Sequence, residues 1–199
     1  LLAWGAWKGD HRVHLWDAAT AKELEPLVGH TGGIINVAFS PAESLLASAS
    51  YDGSVKIWDL TLRRERLTLR REGTKMVNGV GFSPDGRLLA SGNADGSVVI
   101  WETLSGRALH TYSGHEGAQC RYVTFSPDGR MLASIGFDGK VRRWSVSTGE
   151  QQPAIIGPQG AVWSVQYSSD GRLLACSGEK GEVFIWDVAS GTKLREWRM

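Results

Sequence analysis

The sequence has few of the residues that would crosslink it, anchor it or bind a metal. Its 199 residues include only two cysteines, Cys120 and Cys176, which lie far apart. They provide neither the paired spacing of a zinc site nor the density of a disulfide scaffold. No apolar run approaches the roughly 20 residues needed to cross a bilayer. We therefore expect no metal, no disulfide framework and no membrane partner, and we expect a reducing, cytoplasmic compartment.

An excess of positive charge is also lacking. The chain has 22 basic and 21 acidic residues, and its formal net charge is +1. The densest basic run, RRERLTLRRE at 63–72, is interrupted by acids, as in an exposed outer strand, and does not form the basic patch of a nucleic-acid binder. Glycine-rich phosphate loops and HExxH zinc motifs are absent. The sequence therefore predicts no nucleic-acid partner and no cofactor.

One unit of sequence recurs throughout the chain. The stretch AFSPAESLLASASYDGSVKIWD at 38–59 returns as GFSPDGRLLASGNADGSVVIWE at 81–102. The tryptophan that closes the unit recurs at intervals of 42 to 43 residues, as Trp16, Trp58, Trp101, Trp144 and Trp186. A fixed period of this length indicates a repeat architecture.

Each copy has the pattern of four short strands separated by turns. The Ser-Pro-Asp-Gly segment at 83–86, repeated at 126–129, suits a type I turn because proline presets φ at the second position. Asp-Gly pairs at 52–53, 95–96 and 138–139 lie between β-rich runs and indicate hairpins. The sequence therefore predicts an all-β fold, a β-propeller of four-stranded antiparallel blades.

The repeats predict a single propeller region over 1–199, with four full blades and one partial blade that lacks its first strand. The expected bounds are 1–28 for the partial blade and 29–70, 71–113, 114–156 and 157–199 for the full blades. The two ends do not complete one blade between them. We therefore expect an open arc of a larger ring of about seven blades, completed by further chain or by another subunit, with a tendency to self-associate.

Two further pairs of residues indicate a family. Gly-His at 29–30 and 114–115 precedes two copies, and Trp-Asp closes others, as at 58–59. With the Ser-Pro-Asp-Gly and Asp-Gly turns, these motifs resemble the WD-repeat (WD40, β-transducin-like) β-propeller family over the whole chain, and the regular copies are similar to bacterial WD-repeat proteins. The resemblance implies a clamp of hydrogen bonds in each blade, formed by His, a Ser or Thr, Asp and Trp. The matching positions are His30, Ser48 or Ser50, Asp52 and Trp58; Asp95 and Trp101; and His115, Ser134, Asp138 and Trp144.

The same residue types, Asp, His and Ser, also form the triad of many hydrolases. A catalytic site is built once, whereas these residues recur with the period of the fold. A buried carboxylate needs donors, and imidazole, hydroxyl and indole groups supply them. We therefore interpret the residues as structural and predict that the chain is not an enzyme.

Some copies depart from the clamp pattern. Glu72 stands at the expected histidine position of the third copy. In the fifth copy Pro158, Cys176 and Lys180 replace the histidine, serine and aspartate. We expect blade five to form no clamp and to depend on apolar packing.

Arg143 occupies a position where other copies have isoleucine, on a face expected to contact a neighbouring blade. A buried, unpaired charge would be costly there. Its stem is expected to pack while its guanidinium reaches solvent or pairs with a carboxylate such as Glu102. The alternative is that it contacts a ligand or partner.

The resemblance also implies a partner-binding surface at one end of the central channel. Three positions in each blade contribute to it: the third and fifth residues after the histidine and the residue before the hairpin aspartate. The predicted residues are Ile35, Tyr51, Met76, Asn78, Gln119, Arg121, Phe137, Trp163 and Glu179. Tyr51, Phe137, Trp163 and Arg121 stand out, because aromatic residues and arginine dominate binding hot spots. The alternative for Trp163 is that it fills space between blades.

These positions lead to three hypotheses for function. The resemblance implies a non-catalytic scaffold that binds a peptide or protein surface. A second hypothesis is a sensing or regulatory array in a longer signalling protein whose ATPase or kinase module lies elsewhere in the chain. An enzyme in its own right is the hypothesis with the least support from the residues.

Overall fold

The described residues fold into antiparallel β-sheets. The structure, a computed structural model, describes residues 1–6, 9–115, 117–157 and 160–198. Over these ranges 19 strands form five sheets, which we call blades one to five in chain order. Blade one has three strands and the others have four, which confirms the prediction of four full blades and one partial blade. In this part of the chain no helix is long and apolar enough to span a membrane.

Strands that follow one another in the chain pair side by side within each blade. Blade one contains β1 Leu2–Gly5, β2 Arg12–Asp17 and β3 Lys22–Val28. Blade two contains β4 Ile34–Phe39, β5 Leu45–Ser50, β6 Ser54–Asp59 and β7 Arg64–Arg70. Blade three contains β8 Val77–Phe82, β9 Leu88–Asn93, β10 Ser97–Glu102 and β11 Ala108–Ser113. Blade four contains β12 Cys120–Phe125, β13 Met131–Gly136, β14 Lys140–Ser145 and β15 Gln151–Ile156. Blade five contains β16 Val162–Tyr167, β17 Leu173–Gly178, β18 Glu182–Asp187 and β19 Lys193–Arg198.

The two turn motifs adopt the conformations that their residues favour. In the Ser-Pro-Asp-Gly turn the N–H of Gly86 donates to the carbonyl of Ser83 at 2.9 Å, and Gly86 has a φ of 71°. In the Asp-Gly turn the N–H of Gly53 donates to the carbonyl of Ser50 at 3.2 Å, and Gly53 has a φ of 79°. A positive φ costs glycine little because it has no Cβ.

Apolar side chains on both faces of the sheets join adjacent blades. At each of four interfaces, an aliphatic residue on the tryptophan-bearing strand of one blade shares a buried cluster with the tryptophan of the next. The pairs are Leu15 with Trp58, Ile57 with Trp101, Ile100 with Trp144, and Val141 with Trp186. Full burial of one such side chain contributes about 1.5–3 kcal/mol. The recurring tryptophan therefore seals the contact with the preceding blade.

The first strands of the full blades lie beside one another at the centre of the arc. Strand β8 contacts both β4 and β12, and β12 contacts β16. In blade one, Leu2 pairs with Trp16 as Leu46 pairs with Trp58, so β1 is the equivalent of β5 and no first strand precedes it among the described residues. Within the same residues no comparably extensive contact joins blade five to blade one. The described blades form an open arc, and the size of a complete ring stays a prediction.

The face of blade five that points away from blade four has the same residue types as faces that are covered elsewhere. Val183 and Ile185 occupy the register positions of Val55 and Ile57. The side chains of Val55 and Ile57 are completely buried against blade three, whereas Val183 and Ile185 are only half-buried. Trp197 on the outer strand is 49% exposed. An apolar face of this kind favours association, in line with the expected self-association.

Arg143 differs from the sequence-based expectation. Its guanidinium does not pair with Glu102. Instead, Nη1 donates to the carbonyl of Val188 in blade five at 2.5 Å. The side chain is largely buried, and its Nε has no hydrogen-bond partner among the described residues. Arg143 therefore joins blades four and five by one backbone contact.

We expect Ile57→Ala to lower the free energy of unfolding by about 2–5 kcal/mol, because it leaves a cavity between blades two and three. Ile185→Ala, at the equivalent position of blade five, should cost much less, since water can occupy the vacated space. Urea denaturation at low protein concentration, followed by tryptophan fluorescence, measures both. Equal losses would contradict the open face of blade five.

Candidate functional site

A chain of hydrogen bonds links the loop before β4 to strands β5 and β6 of blade two. The Nδ1 of His30 donates to Asp52 at 2.8 Å, and the hydroxyl of Ser48 donates to His30 Nε2 at 2.7 Å. The indole Nε1 of Trp58 donates to the same hydroxyl oxygen at 2.8 Å. Because an ionised carboxylate only accepts, His30 carries its proton on Nδ1. The hydroxyl in this network belongs to Ser48 and not to the alternative, Ser50.

Asp52 is the acceptor on which the network converges. Its carboxylate also accepts from the N–H groups of Thr31 at 3.0 Å and Ser54 at 2.9 Å. Burial alone would raise the pKa of Asp52, but the bonds from His30, Ser54 and Thr31 hold that pKa well below its usual range. Ser50 has a separate role: it donates to a backbone carbonyl at 3.0 Å and accepts from the N–H of Asp52.

Blade four repeats the clamp and adds a cation. His115 Nδ1 donates to Asp138 at 2.9 Å, Ser134 donates to His115 Nε2 at 3.0 Å, and Trp144 donates to Ser134 at 3.1 Å. Arg142 also donates to the Asp138 carboxylate at 2.6 Å. Burial lowers the pKa of His115, although the neighbouring Asp138 opposes this shift. The folded blade therefore favours the neutral imidazole.

Blade three retains only parts of the clamp. Trp101 donates to Ser91 at 3.0 Å, whereas Asp95 accepts from the N–H two residues later at 3.0 Å and closes its own hairpin turn. Glu72, at the expected histidine position, is exposed and supplies no imidazole. With no imidazole to connect them, Asp95 and Trp101 belong to two separate hydrogen-bonded groups.

The described part of blade five contains no clamp. Cys176 replaces the serine, and the buried Nε1 of Trp186 has no hydrogen-bond partner among the described residues. Burial raises the pKa of the Cys176 thiol to about 11, so the thiol stays protonated at neutral pH. Pro158, at the histidine position, lies outside the described residues. Trp186 thus lacks the hydroxyl acceptor that the equivalent tryptophan has in blades two, three and four.

The clamp has the connectivity of a hydrolase triad but not its accessibility. The side chain of Ser48 is completely buried, and its oxygen already accepts from Trp58. Ser134 in blade four is buried in the same way. A nucleophile must reach a substrate carbonyl, so the network can brace a blade but offers no attacking oxygen.

In the described ranges, no three His, Cys, Asp or Glu side chains lie close enough together to hold a metal ion. Both cysteines are free and buried, and burial raises the pKa of the Cys120 thiol.

The predicted partner-binding residues meet in one depression. It has a volume of about 460 Å³ and is bordered by all five blades; we call it the central depression. Its lining residues are Gly5, Ile34, Ile35, Tyr51, Met76, Asn78, Gln119, Arg121, Phe137 and Trp163. Of the predicted residues only Glu179 is not among them; its carboxylate lies 3.5 Å from the N–H of Ala161.

A β-bulge brings one residue of each innermost strand to the central depression. In β4 the register shifts between Ile34 and Asn36, which leaves Ile35 unpaired. The same shift leaves three equivalent residues unpaired in the other full blades: Asn78 in β8, Arg121 in β12 and Trp163 in β16. Bulges re-aim side chains and are frequent beside binding sites. One structural position thus presents an aliphatic group, an amide, a cation and an aromatic ring.

Three side chains from blades four and five form a stacked group at the rim. The rings of Phe137 and Trp163 meet edge to face with centroids 5.5 Å apart. The guanidinium of Arg121 lies 5.8 Å from the centroid of Trp163, within the range of a cation–π interaction. Trp163 is 46% exposed and Phe137 is 39% exposed. This exposure does not fit the alternative that Trp163 fills space between blades.

Polar groups in the central depression remain available to a ligand. The amide of Asn78 donates to Gln119 Oε1 at 3.2 Å and to the carbonyl of Cys120 at 3.0 Å. This arrangement leaves the Nε2 of Gln119 as a donor without a partner among the described residues. Over the same residues Arg121 forms no ion pair.

Two lining residues, Gly5 and Ile34, were not predicted from the sequence. A Cβ on Gly5 would lie 2.2 Å from the Cγ2 of Ile34, so only glycine permits this approach of blade one to blade two. No signal in the sequence indicates this contact, because it depends on how the partial blade sits against its neighbour.

Comparison with known proteins finds a family of repeats. The family model "WD domain, G-beta repeat" matches residues 21–59, 65–102, 106–145 and 149–187, which together make up most of the chain.

Relatives carrying such repeats come from several eukaryotes. "Ribosome biogenesis protein YTM1" of Scheffersomyces stipitis is 34% identical over 70 residues, 35% of this chain and 15% of that protein. "WD repeat-containing protein 26 homolog" of Arabidopsis thaliana is 37% identical over 71 residues, 35% of this chain and 11% of that protein. "Periodic tryptophan protein 2 homolog" of Schizosaccharomyces pombe is 41% identical over 51 residues, 26% of this chain and 6% of that protein. The matches thus span only a small part of each of these relatives.

We expect Asp52→Ala to lower the free energy of unfolding by about 1–3 kcal/mol, because it leaves buried donors of His30 and Ser54 without their acceptor. Lys180→Ala, at the equivalent position of blade five, should cost much less. Thermal and urea denaturation of the two variants provide the comparison. Equal losses would show that Asp52 is not the centre of a clamp.

We expect the free energy of unfolding to decrease as the pH falls below 6.5, the ordinary pKa of histidine. Because the pKa of His115 is lowered in the folded state, the unfolded chain binds more protons in this range. The clamp carboxylates Asp52 and Asp138, whose folded pKa values are also lowered, add a separate loss below about pH 4. Urea denaturation from about pH 7.5 to about pH 5 should show a shallower decrease for His115→Gln. An unchanged slope would contradict a neutral His115.

Proposed function

This chain belongs to the WD domain, G-beta repeat family, and from that premise we propose that it is a non-catalytic protein-interaction scaffold. Its partner is a peptide or a protein surface, and the central depression is the binding site. The observation that carries the proposal is the convergence of non-repeated side chains from all five blades on one recess. Tyr51, Phe137 and Trp163 are each more than a third exposed there.

The composition of the central depression supports binding through hot spots. Exposed aromatic side chains on a folded surface lose contact with water when a partner covers them. Each of these side chains has few rotatable bonds. Packing of the core does not require an aromatic residue at these positions, since the equivalent residues in other blades include Ala94 and Glu179. The aromatic character of the rim is therefore not a requirement of the repeat.

A protein partner fits the charge of the site better than a nucleic acid does. Among the described residues, Arg121 is the only charged residue that lines the central depression, whereas nucleic-acid surfaces use several cations to neutralise phosphates. One relative is a ribosome biogenesis protein, and assembly with other proteins is the role we propose for this chain. A reducing, cytoplasmic location is part of the proposal, because both cysteines are free thiols.

We expect Phe137→Ala and Trp163→Ala to weaken peptide binding by at least about 1–2 kcal/mol, as truncation of hot-spot residues does. Both side chains lie at the surface, so the melting temperature should change little. The probe is a peptide selected from a random phage-displayed library on the immobilised chain, and its dissociation constant is measured by fluorescence anisotropy.

Matched controls come from the same chain. Phe39 is 40% exposed at the far end of β4, and Trp197 is 49% exposed on β19. Alanine at either position should leave the dissociation constant unchanged, as should Arg64→Ala on the outer strand β7. If the controls weaken binding as much as Phe137→Ala and Trp163→Ala, or if no library peptide binds, the central depression is not the site.

A further inference from the structure

The central depression contains one charge and no opposite charge. Arg121 is its only charged lining residue, and in the described part of the chain this guanidinium forms no ion pair. Its contact with Trp163 holds the cation over an aromatic ring. A half-buried cation gains most from an anion that arrives with the ligand, because partial exclusion of water strengthens the pairing.

The carboxylates of the hairpin turns are already engaged. Asp52 and Asp138 accept from the histidines of their clamps, and Asp95 accepts from its own turn. The Oε2 of Glu179 lies 3.5 Å from a backbone N–H of its own blade. No acidic group of these turns is placed to neutralise Arg121.

We propose that the segment bound in the central depression is an extended peptide with an acidic side chain next to a bulky apolar one. This inference rests on the proposed function and specifies the partner of the same site. The acidic side chain accepts from Arg121 on β12 and from the Nε2 of Gln119, the residue directly before that strand. The neighbouring apolar side chain packs on Phe137 and Trp163.

The size of the central depression fits a short segment. A volume of about 460 Å³ lies within the range of ordinary ligand sites. Blades two and three contribute Ile35, Tyr51 and Met76 to the lining, which suit an apolar group. The Asn78 amide is buried and donates to Gln119 Oε1, so it holds the Gln119 side chain in place.

The test is a selection from a random phage-displayed peptide library on three forms of the chain: unmodified, Arg121→Gln and Arg121→Glu. The unmodified chain should enrich peptides that carry Asp or Glu beside Phe, Leu, Trp or Met. Arg121→Gln should lose the acidic preference and keep the apolar one. Arg121→Glu should enrich Lys or Arg at the position of the acid. Arg64→Gln, on the outer strand, should select the same peptides as the unmodified chain.

A double-mutant cycle then measures the contact directly. Replacing the acid of a selected peptide by its amide should weaken binding to the unmodified chain by about tenfold or more, as expected for loss of a charge-assisted hydrogen bond. The same replacement should change binding to Arg121→Gln by less than about twofold. Circular dichroism and thermal melts verify that the variants fold. If a variant does not fold, replacement of the acid in the peptide still tests the contact on the unmodified chain.

The two proposals fail in different ways. If no library peptide binds the unmodified chain, the proposed function is wrong and this inference falls with it. If peptides bind and depend on Phe137 and Trp163 but show no acidic preference, the function stands and this inference is wrong. The inference is also wrong if the acidic preference persists in Arg121→Gln.

Discussion

The rest of this structure depends on one constraint: the interior sheets are apolar on both faces. A sheet with Ile57 on one face and Trp58 on the other can bury both side chains only between two neighbours. Stacking one blade against the next meets this need and leads the chain into an arc. The consequence is visible in blade five. There no described blade covers Val183 and Ile185, and they are only half-buried.

The polar clamp is a secondary device on this apolar frame. Blades two and four connect His, Ser, Asp and Trp, while blade three has no imidazole and the described part of blade five has no such network. All of these blades nevertheless keep the tryptophan buried against the preceding blade. The clamp therefore ties the loop before the first strand to the Asp-Gly hairpin turn of the same blade. The apolar contacts hold the blades together.

Functional variety arises where the repeat leaves the residue free. The bulge in each first strand is repeated, but its side chain changes from Ile35 to Asn78, Arg121 and Trp163. The backbone presents the same position to the central depression four times, and a residue of different size and polarity occupies it each time. This separation allows one rigid frame to present a surface with its own chemical character, here aromatic with a single cation.

The sequence by itself determined the fold class, the blade period and the residues at the turns, because strand alternation, glycine turns and a closing tryptophan are local signals that recur. The family resemblance, carried over residue by residue, led to eight of the ten residues that line the central depression. Only the tertiary structure decided between Ser48 and Ser50 and directed Arg143 to a carbonyl of the next blade. It also showed the close approach of Gly5 to Ile34. These features depend on distances between strands and between blades, and such distances are set by packing across the arc, which no single stretch of sequence encodes.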